Sequence, residues 1–239
     1  YYWKVKVYTH TNETDWSEPA SWSMGLLNEA DWQGQWIGLD RPGPGDSETQ
    51  WSRLAARYLR KEFALTKEVK RATVHIAGMG LYELFINGQR IGEQVLAPAP
   101  TDYRKTILYN THDVTPQLQK ENAIGVILGN GRFYTMRQNY KTYKIPTFGY
   151  PKLRLNLIVE YTDGSRQTIA SDISWKLTTE GPIRSNNEYD GEEYDARKEL
   201  GDWNRAGYDD TNWIPAGRVS IPSGTLRAQM MPGMKVTET

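Results

Sequence analysis

Apolar and polar residues alternate along most of this chain. In "YYWKVKVY" Trp3, Val5 and Val7 fall on one face, with Lys4 and Lys6 on the other. In "LRLNLIVEY" Leu153, Leu155, Leu157, Val159 and Tyr161 share a face. A period of two over such lengths predicts half-buried strands. Asn87-Gly88 in "LYELFINGQRIG" separates two β-rich runs and has the chemistry of a two-residue hairpin turn; Asp163-Gly164 repeats the device. "NAIGVILGNG" reads as a compact apolar strand. The one helical signal is "VTPQLQKEN", where Thr115 is placed to cap a short turn with Pro116 at its first position. The pattern is that of an all-β chain.

Turn signals divide it. Residues 1–27 hold about two strands joined by a polar loop, too few for a stable core. They read as the closing hairpin of an immunoglobulin-like or fibronectin-type sandwich. "DRPGPGDSE" is a Pro/Gly-rich loop. From Arg57 to about Ala216, strand follows strand, enough for one sandwich of about eight strands. The tail "GTLRAQMMPGMKVTET" ends in a strand-like run with no evident partner. "DWQGQWIG" and "DWNRAGYDDTNWIPAG" share a D-W…W-I spelling, too little to define a repeat. The start has neither an initiator Met nor a leader's apolar core, so the chain reads as a processed product or an excerpt.

Composition removes several classes of function. Lys plus Arg equals Asp plus Glu, at 29 each, and a neutral chain lacks the footprint that nucleic acid demands. No apolar run approaches the roughly 20 residues of a membrane span. The absence of Cys leaves no disulfide framework and no thiolate zinc site. The three His residues, at 10, 75 and 112, have no metalloprotease spacing; His75 lies in a strand-like run, where a local hydrogen bond explains it. Nine Trp and 15 Tyr suit β-sheet cores and sugar-stacking surfaces alike.

Two stretches could carry chemistry. "YDGEEYDAR" concentrates Asp190, Glu192, Glu193 and Asp195. Glu193 and Asp195, alternate residues of a strand, would lie about 7 Å apart, within reach of a glycosidase's acid–base pair. Both sit on one short segment, however, and Arg184 and Arg197 are near, so paired charges on a loop are the plainer account. Asp190, Glu192 and Asp195 also offer oxygens to calcium, without the spacing of an EF-hand. No other cofactor is indicated. The second stretch, "GNGRFYTMRQNYKTYKIPTFGY", mixes rings with planar donors. Asn130, Arg132, Tyr134, Arg137, Asn139 and Tyr140, with Asp102 and Tyr103, are its candidates for sugar contact. The alternative is a surface loop that packs on a neighbouring domain.

The joint string "ARYLRKEFAL…RATVHIAGMGLYELFINGQRIGEQVLAPAPTDYRKTILYNTHDVT…ENAIGVILGNGRFY", with "YDGEEYDAR" and "GYDDTNW", resembles the N-terminal β-sandwich module of bacterial α-L-rhamnosidases, inverting glycoside hydrolases of family 78. The resemblance implies a galactose-binding-domain-like jelly roll over 31–218. It also implies a fibronectin-III-like remnant over 1–30 and the start of a further β domain over 219–239. It implies a parent that cleaves terminal α-L-rhamnose from glycans with a separate (α/α)6 domain, a periplasmic or extracellular setting, and carboxylates in "YDGEEYDAR" that are not catalytic. The parent's catalytic domain would be this module's partner. In some relatives such a module binds rhamnose through calcium. Here "GNGRFY" stands where Asp-Gly-Trp-Tyr is common, which removes a charge and a stacking ring.

Overall fold

The computed structural model describes residues 1–22, 24–44, 46, 54–135, 148–188 and 191–238. Its strands in chain order are β1 (Tyr2–Trp3), β2 (Ala20–Ser21), β3 (Ile37–Gly38), β4 (Arg57–Ala64), β5 (Val69–Met79), β6 (Leu81–Ile86), β7 (Gln89–Arg90), β8 (Thr106–Asp113), β9 (Glu121–Gly129), β10 (Lys152–Tyr161), β11 (Arg166–Ala170), β12 (Lys176–Thr178), β13 (Ile183–Asn187), β14 (Gly191–Tyr194), β15 (Ile214–Pro215), β16 (Gly217–Arg218) and β17 (Thr225–Ala228). One sheet runs β16-β3-β10-β5-β8-β17, with β11 on the remaining length of β10. The other runs β15-β12-β4-β9-β6-β7. The hairpins β1–β2 and β13–β14 stand outside both. The helical signal at 115 is a three-residue 3-10 turn, Thr115–Gln117. Val114, not Thr115, occupies its N-cap, because the Thr115 hydroxyl is taken by the Ala72 N–H and the Asp113 carboxylate.

The core lies between the two sheets. Leu153, Leu155, Leu157 and Val159 of β10 face Leu84 and Ile86 of β6 and Ile124, Val126 and Leu128 of β9. Trp175 is wholly enclosed, its indole N–H donating to the Ala170 carbonyl at 2.9 Å. The polar faces of these strands are covered too, which alternation alone does not foresee. Residues 29–40 strap over the outer face of β10. The Gly34 N–H donates to Asn156 Oδ1 at 2.7 Å, Arg154 Nε donates to the Gly34 carbonyl at 2.7 Å, and the Arg154 guanidinium lies 5.2 Å from the Trp32 ring. Residues 202–213 strap over the other sheet, where Trp203 and Trp213 pack with Tyr58. Arg60, 1 % exposed, holds them: Nε donates to the Trp203 carbonyl at 2.8 Å, and the other nitrogens reach Asp210, Glu62 and the Arg205 carbonyl.

Turns follow the sequence closely. Asn87 (φ 52°) and Gly88 (φ 82°) both take the left-handed region that a two-residue hairpin requires. At Asp163-Gly164 only Gly164 (φ 82°) does so, and the turn spans 161–165, closed by Tyr161 N–H to the Ser165 carbonyl. One expectation is corrected at the tail. Residues 225–228 do have a partner: β17 pairs in parallel with β8, from Thr225 opposite Thr106 to Ala228 opposite Tyr109. The apolar positions Leu226 and Ala228 pack on the cluster of Trp32, Tyr103 and Tyr109 and so close the sheet's edge. The N-terminal hairpin pairs Tyr2 with Ser21 and Trp3 with Ala20. Its apolar face, including Trp3, Val5, Val7 and a Tyr1–Trp22 stack at 4.4 Å, is exposed.

Candidate functional site

A groove of about 650 Å3 opens at one end of the sandwich. Its floor is apolar: Leu81 and Tyr82 at the start of β6, Ile127 on β9, and Tyr103. The β13–β14 hairpin forms one wall with Asn186, Asn187, Glu188 and Glu192. Gly129, Gly131 and Arg132 form the turn beside it; Leu96 and Met234 stand at the opposite side. Two glycines make this close approach possible. A Cβ on Gly129 would meet Asn186 Oδ1 at 2.7 Å, and one on Gly131 (φ 48°) would meet Leu81 Cγ at 2.7 Å.

Of the candidate residues, the fold brings Tyr103 and Arg132 to this groove, with Asn130 behind them. Tyr103 packs edge-on against Phe133 and Phe148, and burial pushes its phenol up to about 12. Arg132 donates to Glu188 at 3.0 Å. Asn130 is 2 % exposed: its N–H donates to Asn186 Oδ1 at 2.6 Å and its Nδ2 to the Leu54 carbonyl at 2.8 Å. Among the described residues, two buried amide atoms in this layer, Asn130 Oδ1 and Asn186 Nδ2, find no hydrogen-bond partner. Asp102 lies outside the groove lining in a turn with Arg104 and Lys105, and its bond from Arg104 lowers its pKa. Tyr134 is stacked on Tyr150 at 5.7 Å within the protein, and burial raises it to about 12. Arg137, Asn139, Tyr140 and Asp190 lie outside the described residues.

The described carboxylates of the hairpin are dispersed. Glu192 points to the groove and is exposed, with no ion pair among the described residues. Glu193 accepts from the Ser185 hydroxyl at 3.2 Å. Asp195 caps the 3-10 turn Ala196–Lys198 and takes two bonds from Arg197, at 2.8 and 2.9 Å; these hold its pKa at about 2. A general acid needs a dry setting that keeps it protonated. Asp195 is held ionised and Glu192 is open to water, so neither has that setting. Among the described residues no three His, Asp or Glu side chains converge as metal ligands. Glu83 also lines the groove and is paired with Arg90 at 3.4 Å. His75 has the local bond its strand position suggested, to Thr111 Oγ1 at 3.0 Å on the neighbouring strand.

Sequence reasoning missed Glu83, Leu96, Asn186 and Met234 as groove residues. The doublet Asn186-Asn187 offered a signal, two planar amides beside an acidic run. Leu96 and Met234 offered none, since 138 positions separate residues that the tail brings together through Val95 N–H and the Met234 carbonyl at 2.8 Å.

The comparisons agree with this architecture. The family model described as the α-L-rhamnosidase N-terminal domain matches residues 67–238. A second, the Rha78A-like N-terminal immunoglobulin domain, matches residues 1–28. An "Alpha-L-rhamnosidase" of Formosa agariphila is 41 % identical over 98 % of this chain and 27 % of its own length. A solved α-L-rhamnosidase from Dictyoglumus thermophilum superposes with a TM-score of 0.84 at 39 % identity, over 99 % of this chain and 27 % of that one. A Streptomyces avermitilis α-L-rhamnosidase complexed with L-rhamnose gives 0.71 at 34 % identity, over 78 % of this chain and 18 % of that one. The chain thus spans about a quarter of the length of the curated relatives it matches.

Proposed function

Because the chain belongs to the family of α-L-rhamnosidase N-terminal domains, we propose that it serves as the non-catalytic β-sandwich of an α-L-rhamnosidase. The parent removes terminal α-L-rhamnose from glycans with a separate (α/α)6 domain. Residues 1–30 belong to an immunoglobulin-like unit, 31–218 are the jelly roll, and 219–239 add β17 to its sheet before the next β domain starts. The single observation that carries this reading is the family match over most of the sandwich. The described carboxylates support it, since Asp195 is held ionised by Arg197 and Glu192 is open to water. The test compares the full-length enzyme with this chain alone on an aryl α-L-rhamnoside. Turnover only by the full-length protein is expected. Turnover by this chain, lost on Glu192→Gln or Glu193→Gln with folding intact, would overturn it.

A second reading is a carbohydrate-binding module. It is favoured by the groove itself, where Tyr103 and Arg132 meet a layer of amides with two atoms unsatisfied among the described residues. Calorimetric titration with L-rhamnose, with calcium and again with EDTA, separates the two. Saturable heat lost in EDTA would establish a calcium-assisted sugar site. No heat up to about millimolar sugar leaves the scaffold reading alone, because any remaining affinity would be worth less than about 4 kcal/mol of binding free energy.

A further inference from the structure

The far side of the groove is apolar and uncovered. Leu96 is 57 % exposed and is held at φ 55°, a region that leucine rarely adopts. Met234 beside it is 55 % exposed, and Met230 and Met231 continue the apolar run. The tail that carries them is docked, not loose. Val95 N–H donates to the Met234 carbonyl at 2.8 Å, Gly233 fits against Gln94, and Lys235 pairs with Glu93 at 3.5 Å. The fold therefore spends backbone strain and three contacts to hold apolar side chains in water at the mouth of an apolar-floored groove. Such a surface marks an interaction site. Methionine is suited to it, because its flexible thioether adapts to a partner's shape.

We infer that this groove is an intramolecular seat, filled by an apolar segment from the catalytic part of the same polypeptide. That segment bears a cationic side chain opposite Glu192. The inference rests on the scaffold reading above. Three observations select this occupant. The family model runs through residue 238, so Leu96 and Met234 both belong to the domain as the family defines it. The domain is the N-terminal one, and about three quarters of each relative lies outside the matched part, which supplies the covering chain. Finally, Glu83 and Glu188 are paired with Arg90 and Arg132, whereas Glu192 has no ion pair among the described residues.

Hydrogen peroxide footprinting read by mass spectrometry tests the seat in the full-length enzyme and in this chain alone. Met234 should oxidise at least about tenfold more slowly in the full-length protein, as a side chain moved from half-exposed to buried does. Met79, 2 % exposed, is the slow internal control in both. Leu96→Asp in the full-length protein should restore the fast rate at Met234 without changing the melting temperature of this chain alone, because Leu96 is exposed and Asp tolerates positive φ. Equal Met234 rates in the two proteins would overturn the inference. So would protection of Met234 in this chain alone by L-rhamnose, which would assign the groove to sugar. Rhamnosidase turnover is measured on the same samples. Turnover without protection defeats the seat only, and protection without turnover defeats the activity of the parent only.

Discussion

Acidification should destabilise this chain through His75, and the amount follows from its surroundings. The ring sits on β5 between Trp32 and Tyr109, with centroids at 6.5 and 6.0 Å, and bonds to Thr111 Oγ1. Burial, with a smaller part from the Arg71 charge, lowers its pKa from 6.5 to about 4. A histidine with a depressed folded-state pKa stays neutral in the native state while the unfolded chain takes up a proton. The unfolded state then binds more protons, so stability rises with pH through this window and is lost as pH falls from about 6.5 towards about 4. At about 1.36 kcal/mol per pKa unit the ceiling is about 3 kcal/mol, of which about 2 kcal/mol falls between pH ~7.5 and pH ~5.

Urea denaturation at those two pH values measures it. Carboxylates and His112, whose pKa burial also lowers, titrate in the same range, so the contrast with a variant isolates the ring. His75→Gln keeps a polar partner for Thr111 and removes the titration. The variant should lose about 2 kcal/mol less than the parent chain on going to the lower pH, whatever its own baseline stability. Equal losses in both proteins would refute the account, because the ring would then be protonated alike in folded and unfolded chains.

Other outcomes follow from single contacts. Arg60→Met removes the donor that holds the Trp203 and Arg205 carbonyls and the part-exposed Asp210; leaving the strap carbonyls without it should cost about 2–3 kcal/mol by chemical denaturation. Gly80→Ala forces a Cβ to 2.1 Å from the Gly129 carbonyl oxygen at φ 122° and should lower the melting temperature by about 10 °C or prevent folding. A carbon-detected NMR titration should place the Asp195 carboxyl near about 2, and Arg197→Ala should return it towards 3.8. An Asp195 pKa left unchanged in that variant would remove the Arg197 bond as its cause.

Much of the fold was legible because its strands obey a period of two and its tight turns need particular residues. Asn87-Gly88 gave both the place and the type of its hairpin. The tail strand was not legible. Leu226 and Ala228 alternate over only four residues, and their partner, β8, lies more than a hundred positions earlier. Local pattern does not record a parallel pairing of that span. The lining of the candidate groove was half legible. Tyr103, Asn130 and Arg132 were chosen for their chemistry, and the fold brings Tyr103 and Arg132 to the groove with Asn130 behind them. Asp102 and Tyr134 were chosen on the same grounds, but the first is consumed by Arg104 and the second by packing on Tyr150.

The D-W…W-I spelling has a physical explanation that repeat analysis does not reach. In the first copy Trp32 and Trp36 pack on the outer face of one sheet, and Ile37 begins β3. In the second copy Trp203 and Trp213 pack on the outer face of the other sheet, and Ile214 begins β15. Each strap is pinned by an almost fully buried arginine from a strand beneath it, Arg154 on β10 and Arg60 on β4. Both guanidiniums bond to strap carbonyls and lie over strap rings, at 5.2 Å for Trp32 and 5.3 Å for Tyr208. A two-sheet sandwich has two outer faces whose apolar surface must be covered, and the same solution covers each. The straps thicken the domain on both sides while leaving its end open, so in the groove apolar floor still meets solvent. The same arrangement predicts that losing either arginine should free its own strap, measured by hydrogen exchange at 29–40 or 202–213, while the opposite strap stays protected. Exchange that rises in both straps at once would mean that one cooperative unit, not two separate clamps, holds the sandwich.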